Sequence, residues 1–300
     1  MDAAVSLRGV VKRFGERVAV NGLDLEVERG TCLGLLGPNG AGKTTTMRLL
    51  TAQAIADEGH LEVLGMKLPE QSKQIRAEIG LVPQIDNLDI ELTPRENLSV
   101  FAGLYRVPRK DREAAVEQAL DRANLTDRGD ASLYALSGGM RRRLLVARGL
   151  VHDPRVALLD EPTVGLDPQI RQQLWRLIDD QREEGLTVLL TTHYIEEAER
   201  LADTVAIMAH GRVIATGPPA DLIAEHAGRQ VLEVYGRPDV LEEVKRWADR
   251  KGLAHRGTGV STAIMRAEEV DALPEGTPHA ERRAATLEDA FVVLTGEEAA

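Results

Sequence analysis

Of 300 residues only one, Cys32, is a cysteine, and only 3% are aromatic. A lone cysteine excludes a disulfide framework and a cysteine-based metal site. Its expected place is as small core filler in an apolar strand. No run of 18 apolar residues occurs, so no segment is expected to cross a bilayer as a helix. The acidic, polar start does not read as a secretion signal, which makes the cytoplasm the default location and leaves peripheral attachment to a membrane partner open. Positive charge is in the minority: 37 Lys and Arg stand against 48 Asp and Glu, for a net charge of −11 and a pI of about 5.2. That balance argues against general nucleic-acid binding. Sustained heptads, internal repeats and low-complexity stretches are also missing. What is present is a 43% hydrophobic composition, enough for a proper core. The length allows one large α/β domain and a small second one.

The chain is organised around Gly37-Pro38-Asn39-Gly40-Ala41-Gly42-Lys43-Thr44. It fits G-x-x-x-x-G-K-[ST] at every fixed position. The apolar run Cys32 to Leu36 before it reads as a buried strand, and Thr45 onward reads as a helix running to about Ala54. A glycine-rich turn between strand and helix aims backbone N–H groups and the positive helix end at one point, which suits a polyphosphate. Lys43 would reach the β- and γ-phosphates, and the Thr44 hydroxyl would ligate Mg²⁺.

Before this loop, strands are expected at Val5 to Val11 and Leu23 to Val27. After it come a strand at His60 to Leu64, a short helix at Ser72 to Ala77 and a strand from Ile79 to Gln84. From Thr93 to Leu150 the pattern is helical, opened by the capping-box arrangement Thr93-Pro94-Arg95-Glu96. Val156 to Leu159 is a continuous apolar run, the mark of a strand buried on both faces. Leu174 to Gln181 reads as helix, Thr187 to Thr191 as strand and Glu196 to Ala202 as helix. Val205 to Met208 and Val213 to Thr216 flank a hairpin turn at His210-Gly211. Strands alternating with helices imply a mostly parallel sheet covered on both faces. A second unit begins near Pro218-Pro219. It has expected strands at Val231 to Tyr235 and Ser261 to Met265, a helix at Asp239 to Lys251, a turn at Gly257-Thr258-Gly259 and a closing helix at Leu287 to Leu294.

Val156 to Leu159 runs into Asp160-Glu161-Pro162. An apolar strand ending in Asp delivers a carboxylate beside the phosphate loop, where Asp160 would hold Mg²⁺ through water. Glu161 is placed to act as a general base on an attacking water. Leu136-Ser137-Gly138-Gly139-Met140 is a second helix start fit for an anion. Alone it would be a flexible turn; its place between the two other motifs gives it meaning.

At these residues the sequence resembles the nucleotide-binding subunits of ABC transporters, over roughly residues 3 to 220. The resemblance implies a P-loop NTPase α/β core, with a mostly parallel sheet covered by helices on both faces and an antiparallel β subdomain. It also implies a helical subdomain at about 85–150. A nucleotide-binding domain would span 1–220, and a small C-terminal α+β accessory domain 221–300. ATP and Mg²⁺ would be bound by Gly37 to Thr44 and Thr45, with Thr44, Gln84 and Asp160 at the metal. Phe14 sits where the family stacks an aromatic on adenine, although core packing is a rival reading of that residue. Gln84 matches the glutamine that contacts Mg²⁺ and links hydrolysis to the membrane partner. Ser137, Gly138 and Gly139 match the signature that closes on ATP in trans. Asp167, in Gly165-Leu166-Asp167, matches the D-loop. Lys43, Glu161 and His193 would carry the catalysis.

Met140 departs from the usual Gln. That form is similar to a branch containing daunorubicin-type drug-resistance subunits and the lipo-chitooligosaccharide exporters of nodulating bacteria. Val82 to Asp89, Arg95 to Leu98 and Thr286 to Gly296 look closest to the latter. The implied function is an ATPase subunit of an ABC-2-type exporter of a drug-like or lipid/oligosaccharide substrate. It would pair with a second nucleotide-binding subunit, another copy of itself or a homologue, and dock peripherally on a membrane-spanning permease at the cytoplasmic face. The rival is a soluble ABC-type ATP switch not coupled to transport; an importer ATPase is a third reading.

Other residues carry plainer expectations. Arg141, Arg142 and Arg143 read as a solvated helix face with one or two ion pairs. His152, His210, His226, His255 and His279 lack ligand spacing and are expected at the surface. Trp175 and Trp247 are expected to pack.

Overall fold

The computed structural model describes residues 3–257, 259–270, 273–274, 277 and 279–296; Thr258, in the expected Gly257–Gly259 turn, lies outside them. The chain opens with two long strands, β1 (Ala3–Phe14) and β2 (Arg17–Glu28), then β3 (Cys32–Leu36) and helix α1 (Lys43–Leu50). β4 (Glu58–Val63), β5 (Met66–Leu68), α2 (Ser72–Glu78) and β6 (Ile79–Val82) follow. Then come α3 (Pro94–Leu104), α4 (Arg112–Arg122) and α5 (Gly138–Leu150). β7 (Val156–Asp160), α6 (Pro168–Glu183), β8 (Thr187–Thr192), α7 (Ile195–Leu201), β9 (Thr204–Ala209) and β10 (Arg212–Gly217) finish the main body. The remainder is α8 (Pro219–His226), β11 (Gln230–Tyr235), α9 (Pro238–Lys251), β12 (His255–Gly257), β13 (Ser261–Ile264), β14 (His279–Ala284) and α10 (Leu287–Thr295).

The central sheet has the order β10-β9-β3-β8-β7-β6. All its neighbours are parallel except β10, which returns antiparallel to β9. Its strands alternate between two cores. Leu33 and Leu35 of β3 and Val156 and Leu158 of β7 face the antiparallel sheet β2-β1-β4-β5. Cys32, Leu36, Ala157 and Leu159 face the helical side, with α3 to α7. Burial on both faces is why these strands read as unbroken apolar runs. Register aligns Leu36 with Thr192, Asp160 with Thr191 and Val82 with Leu159. The carboxyl ends of four strands thus form one rim, the place where open α/β sheets bind ligands.

The capping box forms as expected: Thr93 Oγ1 accepts from the Glu96 N–H at 3.2 Å, and the Thr93 N–H donates to Glu96 Oε2 at 2.8 Å. Helix α1 is shorter than expected. It stops at Leu50 instead of Ala54, because Ala52 turns left-handed (φ 55°) and the N–H groups of Gln53 and Ala54 both fold back on the Arg48 carbonyl. A third sheet, β12-β13-β11-β14, is antiparallel. The closing helix α10 does not stay with it alone: Leu287, Phe291 and Val292 pack into the main helical-side core, and the Leu287 N–H donates to Glu199 Oε1 at 3.0 Å.

Candidate functional site

The loop Gly37–Thr44 joins the end of β3 to α1 in a shape only glycine permits at two points. A Cβ on Gly37 would lie 2.3 Å from the Met208 carbonyl, and one on Gly42 (φ 112°) 2.5 Å from the Ala19 carbonyl. The first turn of α1 has no side-chain cap and no acidic residue. Its N–H groups and positive dipole end are therefore free for an anion. Lys43, almost fully buried, donates to the carbonyls of Gly37 (2.6 Å) and Pro38 (3.1 Å). Burial pushes its pKa down, and the charge of Glu161 opposes that.

Across the cleft, β7 ends in Asp160. Thr191 Oγ1 donates to Asp160 Oδ1 at 2.6 Å and Thr44 Oγ1 at 3.5 Å. Burial pushes this carboxyl up, partly offset by the Thr191 bond. Glu161 has a left-handed backbone (φ 46°), uncommon for a residue with a Cβ and of the kind found at functional sites. Its N–H donates to both the carbonyl and the hydroxyl of Thr191 at 3.1 Å. Three side chains meet its carboxylate. Gln84 Nε2 donates to Oε2 at 2.9 Å. Lys43 Nζ stands 3.6 Å and His193 Nδ1 3.3 Å from Oε1, the histidine without the alignment of a hydrogen bond.

A cleft of about 390 Å³ runs from Asn39, Gly40 and Gly42 through Lys43, Thr44, Thr45, Gln84 and Glu161 to Phe14. Phe14 is 49% exposed, so the core-packing reading fails; its ring lines the mouth, with Lys12 Nζ 5.3 Å from its centroid. Two cations there, Arg17 and Arg48, were not singled out in the sequence, nor was Thr191. The double threonine before His193 was the only local hint of the latter.

The signature residues lie elsewhere. Ser137, Gly138, Gly139 and Asp167 do not line this cleft. Ser137 and Gly138 are exposed, and Ser137 Oγ accepts from the Met140 N–H at 3.2 Å. Nothing lies within 4 Å of where a Gly138 Cβ would sit, whereas one on Gly139 would meet Ile170 of α6 at 2.6 Å. Asp167 is exposed at the N-cap of α6 and makes no capping bond.

The three arginines after Met140 are not a solvated face. Arg142 is buried, and Arg141 and Arg143 are half-buried, because α5 packs between the sheet and α3 and α4. His152 is not a surface histidine either. It stacks on Tyr105 with centroids 3.8 Å apart, its Nε2 lies 3.1 Å from the Ile79 carbonyl, and burial lowers its pKa to about 4.

A polyphosphate fits the glycine cradle and the uncapped helix end. A hard divalent cation fits the oxygens of Thr44, Gln84 and Asp160. Among the described residues no three His, Cys, Asp or Glu side chains form a metal cluster.

Known proteins resemble this chain in sequence and in fold. A family described as "ABC transporter" matches residues 20–164. The Nod factor export ATP-binding protein I of Burkholderia orbicola (strain AU 1054) is 42% identical, over 99% of this chain and 98% of that protein. Its counterpart in Rhizobium sp. (strain N33) is 40% identical over 98% of each. Among solved structures, cbiO1 from Clostridium perfringens, part of the ABC transporter complex cbiONQ, superposes with a TM-score of 0.69 at 26% identity, over 84% of this chain and 98% of that one. The ATP-binding cassette MJ0796, solved as a dimer in a post-hydrolysis state with ADP and Pi, gives 0.64 at 28% identity, over 71% and 98%. Similar along almost its whole length to export ATP-binding proteins and folded as an ATP-binding cassette, the chain belongs to the family of ABC transporter ATP-binding subunits.

Proposed function

We propose that the chain hydrolyses ATP in the Gly37–Thr44 cleft and couples that reaction to export through a separate membrane subunit. The observation that carries this reading is the convergence of Lys43, Gln84 and His193 on Glu161. That carboxylate, held between two potential donors and a cation, is positioned to polarise a water in line with a γ-phosphate. The backbone N–H groups of the loop orient the phosphates, and Lys43 exchanges its carbonyl partners for phosphate oxygens. His193 contacts the γ-phosphate from the rim of β8. Thr44, Gln84 and Asp160 are the residues that would hold Mg²⁺, which would supply positive charge against the phosphate charge. Phe14 stacks on the adenine.

The exposed Ser137 to Gly139 completes the site of a second copy, so the working unit is a dimer closed by two ATP molecules, with Asp167 at the seam. Hydrolysis removes the γ-phosphate that bridges the two chains, and the dimer opens. Among the described residues no helix is long and apolar enough to cross a membrane, so the pathway belongs to the partner. Ile85, Ile90 and Leu104, exposed at 78%, 48% and 68%, lie in the segment 85–107 beside Gln84 where that partner docks, at the cytoplasmic face. Residues 221–300 form an accessory unit that braces the ATPase through α10. The cargo is a lipo-oligosaccharide, a reading supported by the 40–42% identical relatives, which are named Nod factor export ATP-binding proteins.

Inverted vesicles bearing the chain with its membrane partner test this. Wild type should take up a labelled lipo-chitooligosaccharide only with ATP, and Lys43→Ala should not. Equal uptake by Lys43→Ala overturns the coupling. ATP-driven uptake of a drug-like dye but not the oligosaccharide overturns the cargo.

A further inference from the structure

Among the described residues no carboxylate accepts a hydrogen bond from the buried Arg142. Its guanidinium spends its donors on four backbone carbonyls from two loops. Nε donates to Pro162 O at 2.5 Å and Nη2 to Glu161 O at 3.0 Å. Nη1 donates to Pro83 O at 2.9 Å and Gln84 O at 3.2 Å. One planar fork thus joins the segment carrying Glu161 to the segment carrying Gln84, the two side chains that bond each other across the cleft. The Glu161 carbonyl it grips belongs to the residue with the left-handed backbone. Such a conformation persists only when its surroundings over-determine it, and here the N–H side is held by Thr191 and the C=O side by Arg142. Arg142 also sits two residues after Met140, in the second turn of the helix that presents Ser137 to Gly139. A second arginine of α5 grips the same loop further on: Arg148 donates to Asn87 O at 2.9 Å and also to Asn87 Oδ1.

We propose that Arg142 is the positioning residue of the catalytic centre: it holds the Glu161 backbone in its left-handed turn, locks Gln84 opposite, and makes both move with the signature end of α5. This rests on the reading of Glu161 and Gln84 given above. Arg142 does not line the cleft. Its effect reaches the reaction through the aim of Glu161, where a misplacement of about 1 Å can cost 10²-fold in rate. It also makes a chain's own Glu161 sensitive to what its signature end binds on the partner, which is a route to cooperativity between the two ATP sites. A lysine cannot replace it, since one ammonium lacks the planar fork that spans both loops.

Full-length Arg142→Gln and Arg142→Lys test this against wild type, with three measurements. Hydrogen exchange in nucleotide-free protein should rise about tenfold or more in both variants, within residues 84–88 and 161–164 and not in the Gly37–Thr44 loop. Affinity for a non-hydrolysable ATP analogue should stay within about threefold, while kcat falls about 10–100-fold. The Hill coefficient for ATP should fall towards one. Unchanged exchange in those two segments overturns the proposal. So does a kcat within about twofold of wild type, a loss of affinity in step with kcat, or failure of both variants to fold, which would make Arg142 a fold determinant only. Exchange is read without nucleotide. A wild type lacking ATPase would therefore overturn the proposed function while leaving the clamp to stand or fall on its own measurement.

Discussion

Asp160 and Asp289 are both almost wholly buried, at 6% and 0% exposure, and their surroundings could hardly differ more. Asp289, in α10, is wrapped. Arg283 takes both its oxygens at 2.6 and 2.8 Å, and the Thr286 N–H and hydroxyl add bonds at 3.0 and 2.9 Å. Burial alone would raise its pKa, but the Arg283 and Thr286 bonds bring it below the ordinary carboxylate value. Asp160 has two hydroxyl donors and a second carboxylate, Glu161, next door. Burial and that neighbour leave its pKa raised. A buried carboxylate given a full set of partners stabilises a fold. One kept short of positive charge holds a strong affinity for a cation in reserve.

Substitutions at the two sites sharpen this contrast. The largest effect is expected in the cleft. Glu161→Gln should cut ATP turnover by about 10²–10⁴-fold while keeping ATP binding and trapping the dimer, as read by steady-state ATPase and size-exclusion chromatography. Normal turnover would sink the assignment of Glu161. Next comes Asp289→Ala, which strips Arg283 of its main partner. The cost should be about 2–3 kcal/mol in denaturant unfolding, below that of a fully buried pair because Arg283 is 32% exposed. Its nucleotide affinity should not change. A smaller effect of opposite sign is expected from Asp160→Asn: the nucleotide-free protein should gain on the order of 1 kcal/mol and lose the extra thermal stability that Mg²⁺ adds to ATP. If Asp160→Asn destabilises instead, the two aspartates are of one kind.

The smallest effect is the pH dependence. The folded pKa of Asp289 is depressed, so its contribution is present above about pH 4 and disappears as the pH falls through its lower folded value. Asp160 is the reverse: its folded pKa is raised, so stability falls as the pH rises from about 4 through that value. Asp289→Ala should flatten the acid limb of the stability profile, and Asp160→Asn the decline above it. Denaturant midpoints across pH 3–7 check both signs.

The motifs that make the cleft were legible because each is a local pattern: a glycine cradle with no room for a Cβ and an apolar strand ending in Asp160-Glu161. Arg142 was misread because its partners are backbone carbonyls from two loops some 20 to 60 residues away in sequence, which no local pattern records. His152 was misread for the same reason, its stacking partner Tyr105 lying in the turn after α3, far away in sequence. β14 went unread because His-Ala-Glu-Arg-Arg-Ala has no apolar alternation; it is a strand because β11 pairs with it along its whole length. α8 was hidden behind Pro218-Pro219, which read as the start of a second unit but places a proline at the first helical position.

The docking of α10 has a consequence for how the protein is made. Leu287, Phe291 and Val292 complete a core whose other walls include Leu201 and Leu222. Domains generally fold from the N-terminus as the ribosome releases them. Here the ATPase body leaves the ribosome with that wall open, and it is sealed only when α10 emerges. A message cut short before codon 287 therefore yields a chain with every nucleotide-binding motif and an exposed apolar seam, a form that chaperones and proteases can recognise before it competes for the membrane partner.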